Sequence, residues 1–193
     1  MRIEYEGITS DKIRDCFETV MNRYEVLHDC RVTLRQKRLK SSTMQAQPVI
    51  KFKNLFTDIK EYHVDLGIYL RDSTDLLVAD LPEKVLIGWF AHELGHVVDY
   101  LPYSNAQMIA YGLKYISSES FRKKAEHAAD IIAIDHGFYK EILETKKFIL
   151  ENEMLDEKYK NKIRKYYMSE DEVRELVLKQ IPIHDAEDGP DLI

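Results

Sequence analysis

His92-Glu93-Leu94-Gly95-His96 places two imidazoles and a carboxylate within five residues. On a helix, residues four apart share one face, so His92 and His96 can grip a single metal ion. Glu93 then points about 100° away around the helix axis, beside the ion rather than in its shell. A carboxylate in that position can take a proton from an attacking water. The competing use of the same residues is a pair of hydrogen-bonded core histidines, or a solvated His/Glu face.

Two histidines leave such a site incomplete, because a catalytic zinc normally takes a third protein ligand and keeps one position open. Thirty residues beyond His96, the run Glu126-His127-Ala128-Ala129-Asp130 supplies acids one helical turn apart. Burying both beside three alanines is costly unless a cation or hydrogen bonds meet them. Glu126 as a ligand, with Asp130 bonded to a ligand histidine, satisfies both groups. His127 points about 100° away from Glu126, so the two do not readily bind one ion. His127, or Asp130 itself, remains an alternative third ligand. Asp99 is either an imidazole-orienting group or an exposed helix-end acid, and His136 either a transition-state donor or a surface residue. His28, His63 and His184 have no partner motif.

Together, HELGH and the Glu-x-x-Ala-Asp run from Glu126 to Asp130 resemble the gluzincin metallopeptidases. The pattern is closest to the CAAX-prenyl-protease type. The short chain and the strands ahead of the motif helix look more like the compact minigluzincins, among them the soluble ImmA/IrrE type. The resemblance covers roughly residues 60 to 137 as an architecture, while its specific motifs occupy ten positions. It implies a zinc-dependent peptidase acting on a peptide or protein substrate. His92, His96 and Glu126 would be the zinc ligands, Glu93 the general base, and Asp130 the support of a ligand imidazole. It further implies that an edge strand ahead of the motif helix pairs with the extended substrate. The reading from another class is a non-catalytic zinc-binding protein, regulatory or structural, on a zincin fold.

These residues need rigid elements to hold them. Asp80 and Glu83 have capping-box spacing, with Pro82 in the first turn. Val85, Leu86, Trp89, Phe90, Val97 and Val98 follow at helical spacing, which predicts a buried helix from about Leu81 to Tyr100. Ser118 caps a second helix that Gly137 ends, with Phe121, Ala125, Ala128, Ala129 and Ile132 on its apolar side. Between them, Asn105 to Ile116 reads as a short helix capped by Ser104, and Tyr103, Tyr111 and Tyr115 could line the cleft or simply pack. The N-terminal third predicts a helix from about Asp11 to His28, alternating strands over Arg31–Leu39 and His63–Leu70, and a short strand over Pro48–Phe52. After Gly137 the chain is charged and helical to about Tyr167. Ser169 with Glu172 caps a last helix to about Gln180.

The expected fold is therefore α+β and zincin-like, a small mixed or antiparallel sheet packed on the motif helix, with C-terminal helices. Residues 1–138 would form the metallopeptidase domain and 139–182 a helical segment packed on it, leaving 183–193 as an acidic tail. A chain of 193 residues with 45% hydrophobic content can build one such core. A net charge of −6 without a strong basic patch argues against nucleic-acid binding. No run is apolar enough for a membrane span, and Met1–Glu6 is no signal peptide. Cys16 and Cys30 bracket a predicted helix too widely to pair, so a reduced, cytoplasmic protein is the default expectation.

Overall fold

The structure, a computed structural model, describes residues 2–39, 42–71 and 76–180. Its sheet has four strands: β1 (Arg2–Glu6), β2 (Arg31–Lys37), β3 (Met44–Pro48) and β4 (Glu61–Gly67), in the order β1-β2-β4-β3. β1, β2 and β4 run parallel, and β3 is antiparallel to β4. Seven helices complete the described chain: α1 (Asp11–Arg23), α2 (Glu83–Tyr100), α3 (Asn105–Ser117), α4 (Glu119–Asp135), α5 (Tyr139–Glu151), α6 (Glu157–Tyr166) and α7 (Glu170–Gln180). The architecture is α+β with a small mixed sheet. Among the described residues no helix is long and apolar enough to cross a membrane. Cys16 and Cys30 are both free and buried.

Alternation turns Val32, Leu34, Tyr62, Val64 and Leu66 into the core. The opposite face of β4 carries Asp65, which has no exposed side-chain surface because Arg35 and Lys37 of β2 close on it at 2.7 and 2.6 Å. Gln45 of β3 donates to the same carboxylate at 3.3 Å, so one acid ties three strands together. β1, which periodicity did not reveal, is only five residues long, with Ile3 and Tyr5 half-buried. The strand expected at 48–52 lies earlier. β3 ends at Pro48, which lacks a ladder donor, and residues 52–54 form a single tight turn with Phe52 exposed. β4, the strand of clearest alternation, is interior, and the edge that meets α2 is β3.

Helix α1 is shorter than its periodicity predicts. Tyr24 leaves helical geometry and buries its ring so that its hydroxyl donates to Ala91 O of α2 at 2.8 Å. Ser10, Ser104, Ser118 and Asp156 cap their helices by side-chain hydrogen bonds, and Ser104 forms a capping box with Gln107. The Ser169–Glu172 box also forms, at 2.7 and 3.2 Å. The Asp80–Glu83 box does not. Asp80 falls in a short turn over Val78–Asp80, and α2 begins after Pro82 without a side-chain cap. The charged stretch after Gly137 is two helices rather than one, broken before Asp156. The predicted acidic tail, with His184, lies outside the described residues.

The motif helix α2 is the centre of the molecule, packed against α1, α4, α5 and β3. Its glycines decide how close the neighbours come. A Cβ at Gly95 would sit 2.5 Å from Ala129 O of α4, and one at Gly88, two turns earlier, would strike Glu141 O of α5. Two helices thus lean on one glycine-paved side of α2. At Gly95 the contact falls one turn from both His92 and Glu126.

Candidate metal centre

Helix α2 projects His92 and His96 toward α4, where Glu126 faces them. Glu126 Oε2 lies 3.1 Å from His92 Nε2 and 3.3 Å from His96 Nε2. One ligand atom from each of these three buried residues lies within 4.8 Å of the others. A tetrahedral zinc with bonds near 2.0–2.1 Å holds neighbouring ligand atoms about 3.3 Å apart, so the carboxylate–imidazole spacings fit such an ion. A buried His-His-Glu group of this kind could hold a metal ion.

Asp130, one turn after Glu126, accepts a hydrogen bond from His92 Nδ1 at 2.9 Å. That bond fixes the ring and leaves Nε2 facing Glu126. The other Asp130 oxygen receives Lys146 Nζ of α5 at 2.7 Å and the Met168 backbone N–H at 3.1 Å. Burial would raise the Asp130 carboxyl, but the Lys146 ammonium and the His92 ring outweigh it and hold it at about 2. Burial would likewise depress the His92 imidazolium, yet its bonds to Asp130 and Glu126 push it up to about 10. Glu126 is held well below the usual carboxylate range by the two imidazoles, against the opposing effect of burial. Those two bonds favour the protonated form of His92. His96 Nδ1 is buried without a hydrogen-bond partner among the described residues.

Glu93 takes the direction its helical position dictates and accepts the Ala46 backbone N–H of β3 at 2.6 Å. Burial raises its carboxyl, only partly countered by the charge of His92 and His96. A cavity of about 510 Å³ opens between α2 and β3, walled by His92, Glu93, His96, Glu126 and residues of α3 and α6. Tyr115 of α3 donates its hydroxyl to Glu126 Oε1. The Tyr167 ring lies 5.1 Å from that of His92.

The other candidates fall elsewhere. His127 is half-buried on α4 and is not among the three clustered residues. Asp99 accepts the Tyr111 hydroxyl at 2.8 Å instead of orienting His96. His136 stacks on Tyr24 with ring centroids 4.2 Å apart. His28 binds Met21 O at 3.1 Å. Of the three tyrosines expected at the cleft, Tyr111 and Tyr115 line the cavity. Sequence reasoning missed Lys146, although a signal existed: it falls on the same side of α5 as buried Ile142 and Ile149, where an unpaired cation would be costly. Ala46 gave no signal, because it acts through its backbone.

In comparisons with family models, curated proteins and solved structures, the chain matches none. The gluzincin resemblance therefore rests on the motif residues themselves.

Proposed function

We propose that the chain is a zinc-dependent peptidase of gluzincin type. The observation that carries this reading is the meeting of His92, His96 and Glu126 at ligand-like spacing, with Glu93 on the same cavity wall. Two imidazoles and one carboxylate are a donor set typical of catalytic zinc. When bound, the ion would supply Lewis acidity, polarising a peptide carbonyl and acidifying a water.

The remaining work falls to the chain. Glu93 is the general base, and its raised pKa brings it nearer the range in which a carboxylate takes and returns a proton efficiently. The Ala46 N–H fixes one of its oxygens and leaves the other for a water. Asp130 holds the His92 ring, with Lys146 and the Met168 N–H holding Asp130 in turn. Among the described residues strand β3 pairs with β4 alone, so apart from the Ala46 N–H held by Glu93 its outer edge is open to an extended peptide alongside the site.

The test combines metal analysis with cleavage of a diverse peptide mixture. The wild type should carry about one zinc per chain and cut peptides in a chelator-sensitive way. Glu93→Gln should keep the zinc and lose nearly all cleavage. Cleavage at the wild-type rate by Glu93→Gln would sink the mechanism. A zinc-loaded wild type that cuts nothing in the mixture would favour a non-catalytic metal protein.

A further inference from the structure

Among the described residues, the lysines near the site are paired, with Lys162 the exception. Lys146 is bound to Asp130, Lys160 to Glu157 at 3.3 Å, and Lys165 to Glu119 at 2.6 Å. Lys162 lies mid-way along α6, between Lys160 and Lys165, and lines the cavity with His92, Glu93 and Glu126. It is half-buried, and it has no hydrogen bond or ion pair to any described residue. Burial lowers its pKa and Arg71 and Arg122 repel it, while the site acids Glu126 and Glu93 favour its charge. Glu126 is committed to the histidines and Tyr115, and Glu93 to the Ala46 N–H.

A cation held in a cleft without a partner is complementary to an anion that arrives from outside. We propose that Lys162 anchors a carboxylate of the substrate, so that the cleft selects acidic peptides. The inference rests on the metallopeptidase reading and names its substrate class. Arg122 donates to Tyr115 O and Ile116 O at 3.0 Å each, so it is committed to the backbone and does not compete for the ligand. An ammonium offers three donors on a flexible stem, which suits a single carboxylate approaching along β3. The carboxylate could be an Asp or Glu side chain, or the end of a peptide chain.

The test uses the zinc-loaded full chain and simple metal-directed probes: the half-hydroxamates of succinic, glutaric and adipic acid, and the monoamides that replace each free acid by a neutral group. Calorimetry should show the acid binding about tenfold or more tighter than its amide at one spacer length. Lys162→Gln should abolish that difference and leave amide affinity unchanged, while Lys162→Arg should retain it. Short peptides competing with the best probe then locate the source. If a free C-terminus is the anchor, amidating it should weaken competition. If a side chain is, replacing an internal Glu by Gln should. Equal acid and amide affinity at every spacer, or a preference that survives Lys162→Gln, would overturn the assignment while leaving the zinc reading intact. A wild type that holds no zinc would overturn both.

Discussion

Asp130 offers the most informative single perturbation, because it serves the metal site and the fold through different oxygens. Asp130→Ala removes the acceptor of His92 Nδ1, and loss of such a support typically weakens metal affinity about ten- to a hundredfold. The same change strands Lys146, whose side chain is only 7% exposed, without its counter-charge. Removing one partner of a buried pair costs about 3–5 kcal/mol. For a domain of this size, about 2–4 °C of melting temperature per kcal/mol gives a fall of roughly 6–20 °C. The two effects are separable. In Asp130→Ala/Lys146→Met the stranded cation is gone, so most of the stability should return while zinc affinity stays low. Thermal melts of the metal-free proteins report the first effect, and competition with a zinc chelator reports the second. A single mutant as stable as the wild type would refute the buried-pair argument. So would a double mutant that recovers zinc affinity together with stability.

Further outcomes follow from the packing. Gly95→Ala should destabilise by about 1–3 kcal/mol through overpacking against Ala129 O, and should also weaken zinc binding by displacing α4. Gly112→Ala on α3, where an added Cβ meets nothing within 4 Å, should instead stabilise by up to about 1 kcal/mol, and comparing the two melts checks the contact. Asp65 has its carboxyl lowered by Lys37, Arg35 and Gln45 against the cost of burial. Its contribution is thus full above the ordinary carboxyl value and lost as pH falls through its lower folded value. Urea titrations should show the wild type's advantage over Asp65→Asn shrinking only under acid conditions, and an advantage that grows as pH falls would reverse the sign. A chain truncated after Gly137 should lose cooperative unfolding, since it uncovers the α5-facing side of α2. Calorimetry showing an intact cooperative transition would contradict this.

Most of the helices were legible in the sequence, because their signals are local. Ser104, Ser118 and Ser169 announce helix starts, and Gly137, at a φ of +83°, announces an end. The errors arose where a distant partner intervenes. Tyr24 leaves α1 because Ala91 O, far along the chain, accepts its hydroxyl. β3 takes residues 44–48 rather than 48–52 because pairing with β4 fixes its register, and the alternation of so short a strand cannot. The cluster of His92, His96 and Glu126 was legible for a different reason. His92 and His96 are related by helix geometry alone, and Glu126 stood out as an acid among alanines. What local pattern could not supply was how α2 and α4 meet. Gly95 marks that crossing only once Ala129 O is known to lie against it.

The site also contains an electrostatic argument for why a cation belongs there. Glu93, Glu126 and Asp130 are all buried around one short stretch of α2, and three carboxylates cannot remain ionised in such a place uncompensated. Lys146 answers for Asp130. The bonds from His92 to Asp130 and, second, to Glu126 favour its protonated form and so push that imidazole above its ordinary value. Glu93 responds by the opposite route, its carboxyl raised toward neutrality. A divalent ion would compete with the His92 proton for the same Nε2 lone pair and deliver more positive charge at the same point. The buried acids that make a protonated His92 favourable therefore make a metal more favourable still. The architecture that brings His92, His96 and Glu126 together also supplies a charge imbalance that would favour a bound cation.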